Sequence, residues 1–230
     1  MSSAADPVPT ARTLAEQVYA ALKGDILSGF LPAGSPLLTK DLLDRYKCGV
    51  SPLREALARL VGEQFLEASS HRGVRVPLPS ANDVDDVYRI RIALEREALA
   101  LALVHGDDTW EAEIVAAAHR LERSPLPDIA KDRLLAISEW EKRHRTFHTS
   151  LISAAPAPRL LRLIDQMVDQ TERYRIIRLT ASDYVALERD ILAEHRKLME
   201  LVVARSIESL SLIAEHLDQT RRAVLSRIQQ

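Results

Sequence analysis

The chain has 230 residues, room for two domains of ordinary size, and its 47% hydrophobic content with only 4% aromatics rests on Leu and Ala, which favour helix over sheet. Seven Gly and eleven Pro are too few for an all-β fold rich in turns, and a formal charge of −2 does not by itself single out nucleic acid as a partner. A lone cysteine, Cys48, excludes an internal disulfide framework, and with no signal-peptide pattern and no apolar run of the ~18 residues a membrane span needs, a cytoplasmic protein without membrane contact is expected.

Residues 1–9 read as a disordered arm. Thr10 or Thr13 can cap a first helix carrying Leu14, Val18, Ala21, Leu22 and Ile26 at helical spacing, ended by Ser28-Gly29. Leu31-Pro32-Ala33-Gly34 reads as a loop. Thr39 is expected to cap a second, short helix with Leu42 and Leu43 inward, and Gly49 to supply the turn that follows. Ser51-Pro52 reads as the start of a third helix, Ser as cap and Pro at the first helical position. Leu53, Leu57 and Leu60 then fall on one face with Ala56, and Arg54 and Arg59 on the other. Phe65–Ala68 and Val74–Val76 read as two short strands joined through residues 69–73. The stiff Pro77-Leu78-Pro79 linker marks a boundary, dividing the chain into domains 10–77 and 80–228.

Past the linker the pattern is helical throughout. Ser80 and Asp83 open a helix with Val84, Val87, Ile90, Leu94, Ala98 and Leu101 on its inner face, ending at Gly106. Asp108 or Thr109 opens the next, to about Arg123, and Pro125 and Pro127 mark a loop. A helix or helix pair follows from Asp128 to Ala154, broken by Pro156-Ala157-Pro158, then a helix from about Arg159 to Leu179 with a break at Ser182-Asp183. The last two helices span roughly Val185–Ala204 and Ser206–Arg227. The predicted fold is mainly α: an N-terminal winged helix-turn-helix and a C-terminal all-α antiparallel bundle of six or seven helices.

Helix, turn, second helix and a glycine-tipped basic hairpin, in that order, is the layout of a winged helix-turn-helix, whose second helix sets its N-terminal residues against base edges in the major groove. Gly49, Val50, Ser51 and Arg54 occupy that end. Gly49 permits close backbone approach, Ser51 suits a phosphate, and the Arg54 fork suits guanine or phosphate. Lys40 reaches toward the DNA backbone from the preceding helix, and His71, Arg72 and Gly73 form a wing tip for the minor groove. The competing reading makes Ser-Pro a helix start only and the arginines a solvated face. Residues 14–76 resemble the N-terminal domain of GntR-family transcription regulators through Ile26-Leu27-Ser28-Gly29, Pro32-Ala33-Gly34, Leu53-Arg54-Glu55-Ala56-Leu57 and Arg72-Gly73. The resemblance implies DNA contacts at Lys40, Gly49, Val50, Ser51, Arg54 and Gly73. Many members carry Arg-Thr where this chain has Val50-Ser51, so one usual polar contact is replaced. The run Cys48-Gly49-Val50-Ser51-Pro52-Leu53-Arg54-Glu55-Ala56-Leu57 is similar to the carbon-starvation branch called CsiR.

His144 and His148 stand at i, i+4 and share a helix face. His195 and His216 lie about equally far either side of the turn near Arg205-Ser206, so a helical hairpin brings them level. If the first helix packs alongside, four imidazoles converge, and imidazole-rich ligation favours zinc or nickel over magnesium. The competing reading is a chance spacing of structural histidines. Residues 80–228 also resemble the FadR-type ligand domain, FCD, whose ligands are an Asp and three His. The resemblance implies a divalent metal ion on His144 (in the Asp position), His148, His195 and His216. It also matches Arg91, in Arg91-Ile92-Ala93-Leu94-Glu95, to an element that clamps a carboxylate; pairing of Arg91 with Glu95 is the alternative. Tyr174 and Arg175 are further pocket candidates whose facing the spacing leaves open.

These readings make the chain a ligand-responsive DNA-binding regulator rather than an enzyme. It is expected to be a homodimer on a palindromic double-stranded operator, and a repressor released by a small carboxylate bound among Arg91, His148, His195 and His216. The CsiR-like branch points to a C5 dicarboxylate such as glutarate. The alternatives are a DNA-binding dimer with purely structural histidines and a metalloenzyme built on the cluster. Against the last, there is no nucleophile motif or phosphate loop, and residues 145–147 between the paired histidines include no Glu base.

Overall fold

The computed structural model describes residues 12–69, 73–124, 133–180 and 190–228. They form two compact units: one runs to Ile26 and resumes from Leu31 to Pro77, and the other comprises Leu27–Phe30 and the chain from Leu78 onward.

In the first unit, α1 (Leu14–Leu27) opens on a reciprocal cap: Glu16 N donates to Thr13 Oγ1 at 3.2 Å, and Thr13 N to the Glu16 carboxylate at 2.7 Å. Thr10, the other candidate, lies outside the described residues. Ala15, Val18, Leu22 and Ile26 form its buried stripe. Then come β1 (Pro36–Leu37), α2 (Thr39–Tyr46), α3 (Val50–Gly62), β2 (Glu67–Ser69) and β3 (Gly73–Arg75). The antiparallel sheet has the order β1-β3-β2. The two-residue β1 was not anticipated: it exists through pairing with β3, and two residues carry no periodicity of their own. Gly73 is needed there, because a Cβ would sit 2.9 Å from the Leu37 carbonyl oxygen.

Three local expectations are corrected. Thr39 is the first residue of α2 rather than its cap; Leu38 takes that place without a side-chain bond. Gly49, not Ser51, is the N-cap of α3, so Pro52 falls at the third helical position. That costs no hydrogen bond, since the first amides of a helix have no partner within it. The left-handed residue of the turn is Lys47 (φ 49), whereas Gly49 is extended (φ −83, ψ 169), a conformation open to any residue. Leu42 is buried as expected, but Leu43 only partly.

The second unit contains six helices among its described residues: α4 (Ala81–His105), α5 (Asp108–Glu122), α6 (Arg133–Ile152), α7 (Pro158–Thr180), α8 (Ile191–Val203) and α9 (Ser209–Ile228). Ser80 caps α4 by accepting from Asp83 N at 3.1 Å. Asp107, one residue before the expected start, caps α5 from Trp110 N at 2.8 Å, and Asp190 caps α8 from Ala193 N at 2.9 Å. The Pro125–Pro127 loop, the break at Ser182-Asp183 and the expected start at Val185 lie outside the described residues. Helix α4 packs against α6, α7 and α9, and α5 against α6 and α8. A shared core includes Leu99, Ile114, Phe147, Leu198 and Leu217.

The inner face of α4 differs from the expected one. Ile90 is exposed, and the buried stripe runs Val84, Val87, Tyr88, Arg91, Glu95, Ala98, Leu99 and Ala102, with two charged residues at its centre. The α8–α9 turn is fixed by Arg205, itself left-handed (φ 56). Its guanidinium donates to the carbonyls of Leu103 at 3.1 Å and Gly106 at 3.0 Å and to Glu111 at 2.7 Å, and lies over the Trp110 ring. The carbonyls that end α4 are thereby satisfied by a cation, which also suits the negative end of the helix dipole. No described helix is long and apolar enough to cross a membrane.

Candidate functional site

Two places in the molecule hold the predicted residues. The first is the exposed start of α3. Its Leu53, Ala56 and Leu60 are buried, which turns Val50, Ser51 and Arg54 outward. Lys40, on α2, is exposed as well. Arg54 and Lys40 have no side-chain partner among the described residues. By contrast Arg59, at the far end of α3, is committed to structure: it bonds Glu63 at 2.9 Å and stacks on the Tyr19 ring at 3.7 Å. Tyr19 donates to the same Glu63 at 2.5 Å, and Arg45 and Tyr46 bind Asp25, tying α2 and α3 to α1. Gly73 begins β3 at the base of the wing; His71 and Arg72 lie outside the described residues.

The second place lies inside the helical unit. His144 and His148 on α6, His195 on α8 and His216 on α9 are all buried, and one nitrogen from each lies within 4.8 Å of the others. His195 Nε2 and His216 Nε2 are 3.3 Å apart. Ring centroids of His144 and His148 are 4.5 Å apart, with Trp140 stacked on His144 and Phe147 edge-on to His195. The sequence spacing therefore identified four side chains that do meet.

Several of their partners were missed. Glu194 Oε2 lies 2.9 Å from His216 Nδ1, so the tautomer with its proton on Nδ1 donates to that carboxylate and turns its Nε2 lone pair inward. Glu95 lies 4.0 Å from His148 Nδ1, and Glu141 4.0 Å from His144 Nδ1. Each of those two carboxylates is held by a buried arginine. Arg91 Nε donates to Glu95 at 2.6 Å, and Arg175 grips Glu141 with two bonds of 3.0 and 2.7 Å. The Thr171 hydroxyl, on α7, accepts from Arg91 at 2.6 Å and donates to the Val168 carbonyl at 3.0 Å. Arg91 therefore pairs with Glu95, the alternative reading, through a carboxylate that itself lies 4.0 Å from His148 Nδ1. Arg175 reaches the histidine cluster through Glu141, whereas Tyr174 packs with Val84, Tyr88 and Val224 and bonds Asp83. Glu141, Thr171 and Glu194 have no motif of their own; only their i−3 or i−1 distance from a histidine hinted at Glu141 and Glu194.

The surroundings hold these histidines in their neutral form. Burial first, then the neighbouring imidazoles and Arg175, holds the His144 pKa well below its usual value; burial, His216 and His195, with Arg91, do the same for His148. Both rings are neutral at pH 7, the form that binds metal. His144 Nδ1 and both ring nitrogens of His148 are buried without a hydrogen-bond partner, which is costly unless something else satisfies them. The edge of a zinc tetrahedron with bonds of ~2.0–2.1 Å is about 3.4 Å, and the 3.3 Å between His195 and His216 matches it. The residues present fit a divalent ion of imidazole preference. Burial opposes the charge of Arg175, but Glu141 outweighs it and keeps the guanidinium charged.

Residues 14–76 match the family model described as bacterial regulatory proteins, gntR family, and residues 86–219 match the FCD domain. The HTH-type transcriptional regulator BphR of Paraburkholderia xenovorans (strain LB400) is 36% identical over 223 residues, 94% of this chain and 88% of that protein. The HTH-type transcriptional repressor GlaR of Escherichia coli (strain K12) is 35% identical over 202 residues, 86% of this chain and 90% of its own length. Among solved structures, E. coli McbR/YncC superposes with a TM-score of 0.78 over 96% of this chain and 100% of that one; at 24% identity this speaks to the fold.

Proposed function

The chain belongs to the gntR family of bacterial regulatory proteins, with a C-terminal FCD domain, and we propose that this DNA-binding transcription regulator is a repressor released by a small carboxylate. Domain 10–77 holds the operator through Lys40, Gly49, Val50, Ser51, Arg54 and the wing residues His71, Arg72 and Gly73. Domain 80–228 binds effector and pairs two chains, so that a homodimer in the cytoplasm meets a palindrome. Repression is supported by the relative GlaR, a repressor by name.

The observation that carries the effector reading is the convergence of four buried imidazoles with two buried arginines. Arg91 with Glu95 and Arg175 with Glu141 are internally neutral pairs. A divalent ion held by neutral His144, His148, His195 and His216, zinc by ligand preference, would leave that interior positively charged even with the Glu194 carboxylate beside His216. A carboxylate restores the balance. Among the described residues, two of the five N–H donors of Arg91 are engaged; the rest of its fork, with His148, His195 and His216, reads the carboxylate. The CsiR-like run Cys48–Leu57 points to a C5 dicarboxylate such as glutarate. Release requires that the effector bind the DNA-free state more tightly than the DNA-bound one.

Gel shifts of the operator with and without glutarate, succinate and adipate test this: the expected result is release by one of them at unchanged protein concentration. An effector that binds without changing operator affinity would sink the proposal. Metal analysis of protein purified without chelator checks the cluster: His148→Ala is expected to lose most of the ion that wild type carries, and equal content in both would reject the assignment.

A further inference from the structure

We propose that Val50 sets operator specificity by packing on the 5-methyl group of a thymine in each half-site. The inference rests on the DNA-binding reading above and adds which base edge is read. Val50 is the first residue of α3, directly after the extended N-cap Gly49, and so projects from the end that enters the major groove. It is 54% exposed, a branched apolar side chain turned to solvent, while Leu53, Ala56 and Leu60 of the same helix are fully buried. At 100° per residue, Arg54 stands about 40°, Ala58 about 80° and Ser51 about 100° around the helix from Val50. All four are exposed. They make one outward face with an apolar reader beside a cationic one.

The major groove gives such a pair distinct targets. Thymine alone among the four bases offers a methyl group there, and an arginine fork is matched by guanine O6 and N7. An apolar side chain cannot pair with the donors and acceptors of adenine, guanine or cytosine, and burying those groups beneath it leaves them unsatisfied. Val50 thus selects thymine both by contact with the methyl and by penalty against the other bases, and the adjacent Arg54 places that thymine beside its own contact.

The test removes the methyl and nothing else. An operator is first selected from random duplex DNA by the wild-type protein. Each thymine is then replaced by deoxyuridine, symmetrically in both half-sites, and affinities are measured for wild type, V50A and V50S. At one thymine per half-site, uracil is expected to weaken wild type by about fourfold per half-site, the worth of one buried methyl. V50A and V50S are expected to bind the thymine operator as weakly as wild type binds the uracil one, and to be indifferent to the replacement. An operator whose every thymine tolerates uracil, or responds equally in wild type and both variants, overturns the methyl contact alone. A pool that yields no enriched sequence overturns the operator-reading function itself, and the methyl contact with it.

Discussion

The two units handle polar side chains in opposite ways. Among the described residues of the winged-helix unit the ion pairs are at least partly exposed, as between Arg59 and Glu63, and the start of α3 presents Arg54 without a side-chain partner. In the helical unit two ion pairs, a threonine and four histidines are buried among Leu, Ile and Phe. The first unit is poised to meet a partner that brings its own charge and remains outside. The second has already met the cost of removing charge from water, and each member depends on the next. A change at the α3 face should therefore be felt in binding, and a change at the histidine cluster in folding.

The largest effect expected is from Arg175→Ala. It leaves the buried Glu141 carboxyl without its two bonds, a loss of about 3–5 kcal/mol in denaturant unfolding. Replacing Arg175 and Glu141 together by Met is expected to restore most of it. An unchanged midpoint for Arg175→Ala would erase the contrast. Arg54→Ala is the counterpart: about 1–3 kcal/mol of operator affinity lost in titration, with an unfolding midpoint indistinguishable from wild type. Caps sharpen the comparison on a finer scale. Ser80→Ala should cost ~1 kcal/mol because its hydroxyl accepts from Asp83 N, while Ser51→Ala should stay within about 0.5 kcal/mol because no cap bond exists there.

The smallest effect is a pH dependence. Burial raises the Glu63 pKa, but hydrogen bonds from Tyr19 and Arg59 and the nearby Lys23 outweigh it and hold the group below 4.5. The unfolded chain then binds the proton more readily than the folded one, so this contribution is present above pH 4.5 and lost as pH falls through the lower folded value. Glu63→Gln should flatten that part of an acid titration of unfolding.

How much could be read beforehand follows from the same contrast. The α3 face was legible because period and exposure are local: Leu53 and Leu60 point in, so Arg54 points out. The four histidines were legible because two share a turn of one helix and two straddle a hairpin. Their support was not. Glu141, Thr171 and Arg175 acquire meaning only when α6 and α7 are laid side by side, and β1 only through its pairing with β3. Gly49 was expected to supply the turn by its residue type, and it lies in that connection, but the left-handed residue there is Lys47.

Arg205 has one further consequence. His195 lies ten residues before it and His216 eleven after, so the two stand at comparable distances along the arms of the hairpin. Arg205 pins the tip of that hairpin to the last turn of α4, the helix that carries Arg91 and Glu95. All three helices are thus measured from one fixed mark. The protein sets the depth of its histidines as a carpenter sets matching joints, by cutting every length from the same end.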